Sequence, residues 1–346
     1  MNIKSISAWA FAASLIASTA LAGHRISPPQ KEVLAEEPKR TLFPEGGSIS
    51  AGALVSEDAV GIYADSITGL WAPQSRNAFL FLNSRHHYED NGQFISSTGL
   101  GFRAMCPKNE IIAGLNVFWD SISSAHDNDF DQLGIGAEIL THWVDARFNY
   151  YLPEDDTYEI GRRSTRKTGG TTTTTRNLKS YEAALEGFNA EAGVLIPGLD
   201  KYAEVRVFAG YYHYDNPFGG DFQGFKARVE AHVLPGVIAG VEYWDDAELM
   251  GGHWTGSLSV SVPFSIYNLV TGRNPFEGIA QNFTPRQRAF KERMGDMIDR
   301  SHRIQTTTSG DLPAGVSTTE NDLGAPLPPP TGGSAKKRRG GGFPVE

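Results

Sequence analysis

The chain contains a single cysteine, Cys106, among 346 residues. A lone thiol excludes an internal disulfide framework, and with no positioned histidine to activate it the sulfur reads as packing. Beyond the extreme N-terminus no run approaches the roughly 20 apolar residues of a spanning helix, which excludes a helical membrane protein. Zinc spacings, a phosphate loop and a dinucleotide fingerprint are also missing, so no cofactor is expected. His86 and His87 are adjacent and therefore point to opposite faces of a strand, unsuited to a shared metal or proton relay. His213 and His253 fall near strand ends with no nucleophile beside them. The run His126–Asp131 is rich in oxygen but lacks the glycine and distal glutamate of an EF-hand loop, and reads as a solvated turn. No catalytic or metal-ligating residue is assigned, and the chain is not expected to be an enzyme.

What is present begins with an export signal. Lys4 supplies the positive start, Ala8 to Ser18 the short apolar core, and Ala20-Leu21-Ala22 the small-x-small cleavage site, so residues 1–22 should be removed before Gly23. Residues 23–47 carry Pro28, Pro29, Pro38 and Pro44 among charges and read as a linker.

From residue 48 the chain alternates at a period of two, the spacing of half-buried strands. In 110–121, Ile111, Ala113, Leu115, Val117 and Trp119 share one face, and Gly114, Asn116, Phe118 and Asp120 the other. Twelve strands are expected: 48–55, 60–72, 78–88, 94–106, 110–121, 130–140, 143–152, 182–196, 202–213, 223–234, 237–245 and 254–264. Their connections alternate between two classes. Pro73–Asn77, Pro107–Asn109, Thr141-His142, Pro197–Lys201 and Pro235-Gly236 are tight. Glu89–Gln93, Ile122–Asp129, Pro153–Tyr181, Tyr214–Phe222 and Asp246–His253 are mostly longer and polar. Strands of about ten residues with short turns at one end and longer loops at the other fit a membrane barrel, and an even count closes the sheet and removes its edges.

The fold class expected is therefore all-β: an antiparallel transmembrane β-barrel of about twelve strands, spanning 48–264. Charges on its lipid face would cost a few kcal/mol each near the midplane, so they must face a wet lumen. The lumen candidates are Arg103, Asp120, Glu138, Asp145, Arg147, Glu191, Glu204, Arg206, Lys226, Arg228, Glu230 and Glu242. Both signs are mixed, which suggests ion pairs across the lumen and little ion selectivity.

Residues 265–304 break the strand pattern. Within 285–304, Phe290, Met294, Met297 and Ile298 recur at helical spacing among Arg and Lys, with Pro285 placed to start a helix. Such a C-terminal helix would span about 30 Å, enough to lie inside the pore; a periplasmic amphipathic helix is the alternative. Residues 305–346 are dominated by Thr, Ser, Gly and Pro and read as a disordered tail ending in the cluster Lys336 to Arg339.

Four linked motifs carry a resemblance: Gly99-Leu100-Gly101-Phe102-Arg103, Gly114-Leu115-Asn116-Val117-Phe118-Trp119-Asp120, Leu133-Gly134-Ile135-Gly136-Ala137-Glu138 and Arg147-Phe148-Asn149-Tyr150-Tyr151. In order and spacing they resemble the inverse autotransporter β-domain, the translocator barrel of intimin- and invasin-type adhesins, over roughly residues 48–304. Gly187 to Gly193 is similar to the family's next segment. The resemblance implies twelve strands and a linker threading the pore, with Arg293 to Ile304 in that place. Gly99, Gly101, Gly134 and Gly136 would then serve barrel shape and packing, while the lumen charges hold the pore segment. It also implies outer-membrane lipid and lipopolysaccharide as surroundings, and barrel-assembly machinery and periplasmic chaperones as insertion partners. A host or cell-surface receptor would serve an adhesin-type passenger; nucleic acid is not an expected partner. Where the family usually carries an immunoglobulin-like passenger, about forty tail residues follow the pore segment in this sequence, so a folded passenger is not expected.

The expected function is an outer-membrane barrel that exports or displays its own short C-terminal segment. A porin-like diffusion channel and an adhesin acting through its extracellular loops, above all 153–181, are the alternatives.

Overall fold

A computed structural model describes residues 46–57, 59–124, 126–154, 157–169, 172–199, 202–246, 251–309 and 312–320. The expected signal segment 1–22, nearly all of the 23–47 linker and the basic cluster near 336 lie outside the described residues. Contacts divide the chain into two units, one holding residues up to Tyr158 with Tyr181–Ser309, the other Glu159–Ser180 with the residues from Gly310 onward.

The first unit is a closed antiparallel barrel. β1 (Gly46–Ser56), β2 (Val60–Trp71), β3 (Ala78–Glu89), β4 (Phe94–Cys106), β5 (Ile111–Ser123), β6 (Asp129–Thr141) and β7 (Val144–Pro153) pair in chain order. β8 (Thr157–Gly169) and β9 (Thr172–Ala184) follow β7 in sequence without joining the barrel wall. The wall resumes with β10 (Gly187–Leu195), which pairs with β7, and continues through β11 (Glu204–Tyr214), β12 (Phe222–Leu234), β13 (Val237–Asp246) and β14 (Gly251–Ser265). β14 then pairs with β1 from Gly46↔Ser265 to Ser56↔Thr255, so the twelve-stranded wall has no open edge. Closure satisfies every strand's backbone within the sheet, which is what a lipid surround demands. Among the described residues no helix is long and apolar enough to cross a membrane.

The faces are inverted relative to a soluble protein, whose charges sit outside. On β5, Leu115, Val117 and Trp119 are exposed, while Asn116, Phe118 and Asp120 are buried. On β12, Phe225 and Val229 are exposed and Lys226 is buried. The period of two thus sorts apolar side chains outward and polar ones inward around the wall.

Four expectations need correction. The stretch 153–181, read as a polar loop, holds most of the β8–β9 hairpin, and the strand expected over 182–196 is divided between β9 and β10. β-branched threonines at 172–175 suit a pleated backbone even where both faces are polar, so the strand has no alternation to betray it. The helix expected over 285–304 does not form: only Phe290–Gly295 winds, as a 3-10 turn, and the rest is irregular backbone with bends. Regular α-helix among the described residues is limited to α1 (Ile266–Val270), capped by Ser265, whose side chain accepts from the Asn268 amide. The tail expected to be disordered from 305 contains β15 (Thr306–Thr308) and β16 (Leu312–Glu320).

In the second unit β16 pairs antiparallel with β9, from Leu312↔Lys179 to Glu320↔Thr172, and β8 pairs with β9. There Glu159 accepts from Lys179 at 2.6 Å and from Arg162 at 3.1 Å, and the two cations hold its carboxyl below the usual carboxylate range.

Candidate functional site: the occupied lumen

The site is the inner wall of the barrel with the segment that follows β14. Near the end where the tight turns lie, the Gly236 amide donates to the carbonyl of Asn282, in a 3-10 turn at Ile279–Phe283. Near the opposite end, Arg303 donates to Glu89 at 2.9 Å, beside the turn between β3 and β4. There the Leu185 amide donates to the Gln305 carbonyl at 2.8 Å, β15 pairs with Ala184 to Glu182, and the Ser309 amide donates to Tyr181. Residues 284–305 therefore run through the barrel from its turn end to its loop end.

Two bidentate ion pairs pin this segment. Arg293 donates from both Nη atoms to Asp145 of β7 at 2.9 and 2.6 Å, and to the Thr141 carbonyl at 2.5 Å. Arg300 donates to both oxygens of Asp120 of β5 at 2.6 Å, and its guanidinium lies over the rings of Phe118 and Tyr151. Neither Asp120 nor Asp145 retains exposed surface. In such a site each pair also has to overcome the desolvation of both ions, and fork-on-carboxylate geometry is the arrangement that does so best. Gly134 makes room for one of them: a Cβ there would collide with the Arg300 guanidinium. Gly101 likewise leaves room for Phe81 and Ile298.

Between these pins the segment contributes apolar contact. Met294 and Ile298 are buried in a cluster with Ile67, Phe79, Phe81, Ile112, Phe118 and Leu140, flanked by Phe290 and Met297. Helical spacing in the sequence identified these four side chains, but a short 3-10 turn carrying Phe290 and Met294, followed by non-helical backbone at Met297 and Ile298, brings them there. The reason lies in the wall. Arg103, fully buried, donates from Nη1 to the carbonyls of Met294 at 3.0 Å and Asp296 at 2.5 Å while its Nε holds Glu138 at 2.6 Å. Tyr151 accepts from the Ser301 amide at 2.8 Å. Backbone groups that a helix would pair internally are paired by the lumen instead.

The remaining expected lumen residues form a second cluster. Glu191 of β10 meets Arg147 at 2.9 Å, Lys226 at 2.9 Å and Arg228 at 2.7 Å. Arg147 and Arg228 both reach Asp299 of the segment, and both lie over the ring of Phe208. Glu230 pairs with Arg228 at 2.7 Å, and Glu242 stands 3.9 Å from Lys226. Arg206 donates to Glu204 at 2.9 Å and lies 3.4 Å from Asp145, while Arg288 bonds Glu204, His232 and Asp296.

Sequence reading placed Arg293 to Ile304 in the pore but did not single out the charges that dock the segment, Arg288, Arg293, Asp299 and Arg300, nor the wall's neutral hydrogen bonders Asn149, Tyr151 and Asn189. The wall residues could have been found, since they share the inner parity of their strands with Arg147 and Glu191. His86 is exposed and His87 buried, on opposite faces. The turn at 126–128 is tied to Glu182, which accepts from Ser124 at 2.9 Å and Asn128 at 2.6 Å. His213, Asp215 and Asp221, brought together by the connection between β11 and β12, offer ligand atoms within 4.8 Å of one another, a grouping their spacing did not announce. In the lumen the buried carboxylates of Asp120, Glu138, Asp145 and Glu191 each face a guanidinium or ammonium. Such charge-assisted pairing is the chemistry of a docking surface.

A family model described as the inverse autotransporter β-domain matches residues 51–245. Among solved structures, the fold is similar to a chain from work on the in-meso crystallisation of membrane proteins, at 15% identity and a TM-score of 0.56, covering 76% of this chain and 100% of that one. The outer-membrane protein Omp33 of Acinetobacter baumannii is more distant, at 9% identity and a TM-score of 0.35 over 63% of this chain and 98% of its own. The β-domain of the Bordetella autotransporter BrkA is 11% identical with a TM-score of 0.27, over 64% and 99%. No curated protein matches the chain.

Proposed function

The chain belongs to the inverse autotransporter β-domain family, and from that premise we propose that its barrel carries its own C-terminal segment across the outer membrane and holds it displayed at the loop end. The barrel is an outer-membrane protein of translocator type. The observation that carries the reading is the course of residues 284–305, which enter the closed wall at the turn end and leave it where β15 pairs with β9.

A chain held this way is positioned by the wall at several depths: Arg288 near the turn end, Arg293 and Arg300 within, Arg303 near the loop end. Once through, backbone hydrogen bonds from 305–309 to 181–185 hold it as an added strand, a mode in which main-chain pairing supplies the affinity. An unoccupied porin-like channel is disfavoured by the same contacts, since Met294 and Ile298 fill the space between β2 and β6. Insertion by the barrel-assembly machinery is part of the same reading, supported by the fold class and the family match.

An epitope tag after Glu346, probed with protease on intact cells beside periplasmic controls, tests the reading. Cleavage from outside is the expected result. Protection until the outer membrane is permeabilised would place the tail in the periplasm and overturn it.

A further inference from the structure

The pins described above reach β3, β4, β5, β7, β11 and β12, and none of them reaches β1, β13 or β14. On that side the lumen stays open. A cavity of about 340 Å³ lies along the seam, lined by Ser50 of β1, by Ser257 and Ser259 of β14, and by Glu230, Glu242 and Asp299 facing them. It follows β14 from Ser261 to Thr255, roughly 20 Å of strand at about 3.3 Å per residue. Small hydroxyl side chains keep this wall low, while the bulky Phe79, Phe81 and Phe118 stand on the side the segment covers.

Exposure separates the two sides. Asp120 and Asp145, beneath the segment, are 0% exposed, whereas the side chains of Glu230, Glu242 and Asp299 keep 24%, 24% and 26%. Their cationic partners lie deeper, Arg228 at 10% and Arg147 at 9%. Arg85 is the exception at 27%, and it is neutralised by Asp65 at 2.5 Å. Water therefore reaches the acids more than the bases, although the lumen as a whole carries both signs.

We infer that the barrel conducts small monovalent cations alongside its seated segment. The inference rests on the reading that the segment occupies the lumen, and it differs from an ordinary porin in needing no departure of that segment. Carboxylate groups lining a water-filled constriction favour cations over anions. Hydroxyls along the seam offer the hydration partners a passing ion needs.

The test uses the full chain in planar bilayers under a potassium chloride gradient. Asn83 Nδ2 and Met297 Sδ lie 3.7 Å apart, so Asn83→Cys with Met297→Cys, in a Cys106→Ser background, can be bridged by oxidation or a short thiol-reactive linker. The expected result is a small steady current that survives bridging and reverses on the cation-selective side. Ser259→Trp, or Ser257→Trp one step along the same face, should cut that current several-fold, and Glu230→Gln with Glu242→Gln should move the reversal potential toward zero. A current lost on bridging and restored on its release would show that ions pass only when the segment leaves, overturning the conduit while the display reading stands. Failure of the two thiols to bridge would refute the seating itself, and both readings with it. A bridged current unchanged by either tryptophan would also overturn the conduit.

Discussion

Asp120 accepts both Nη atoms of Arg300 and one hydrogen bond from Gln132, with no surface left to water. Removing one partner of a buried pair strands the other charge, at about 3–5 kcal/mol. Here the stranded partner rides on a segment that can leave, so the loss should appear as undocking rather than unfolding. Asp120→Ala is expected to raise the unseated fraction by roughly two to three orders of magnitude at about 1.4 kcal/mol per tenfold, read as faster thiol labelling of a Met297→Cys reporter. Arg300→Ala should behave alike, and the double variant should be much less impaired than the two losses summed. Full additivity would show that the pair contributes nothing to docking. Gly134→Ala belongs with these, because its Cβ would displace a guanidinium already held by Asp120, Phe118 and Tyr151. It should copy Arg300→Ala in the labelling assay; a barrel that fails to fold would mean the glycine serves the sheet instead.

The segment 285–304 shows what could be read from sequence and what could not. The strands were legible because lipid outside and charge inside force a strict period of two, as in β5, where Trp119 faces out and Asp120 in. The four apolar side chains of the segment were legible as a group by another signal, their helical spacing among charges, and in the fold they meet an apolar patch of the wall. Its backbone was not, since the choice between helix and irregular chain is made by Arg103 and Tyr151, more than a hundred residues away in sequence. The hairpin of β8 and β9 was hidden for a different reason: Thr172 to Thr175 is polar on every face, so no alternation marks the strand. Burying Met294 and Ile298 contributes roughly 1.5–3 kcal/mol each, comparable with one ion pair. Met294→Ser with Ile298→Ser is therefore expected to unseat the segment about as far as Asp120→Ala does. Protease sensitivity near Gly295 is the measurement, and unchanged protection would assign docking to the ion pairs alone.

At the scale of the molecule, the wall and its occupant are held by different forces. Closure comes from strand pairing, with β1 and β14 matched over eleven positions from Gly46↔Ser265 to Ser56↔Thr255, and from apolar side chains turned to lipid. Seating comes from charge pairs and a small apolar patch. The clusters around Glu191 and Glu138 join wall strands to one another, β12 to β10 and β4 to β6, so the wall retains internal pairs when the segment goes. Asp120→Ala combined with Asp145→Ala should therefore free both Arg300 and Arg293 yet leave a barrel that still migrates as a compact, heat-modifiable band on electrophoresis. The same preparation should show a segment open to protease and a larger current than the parent chain. Loss of the compact band would mean the segment is a structural strut, folded with the wall as one cooperative unit, and a strut of that kind could not be the last part of the chain to pass through.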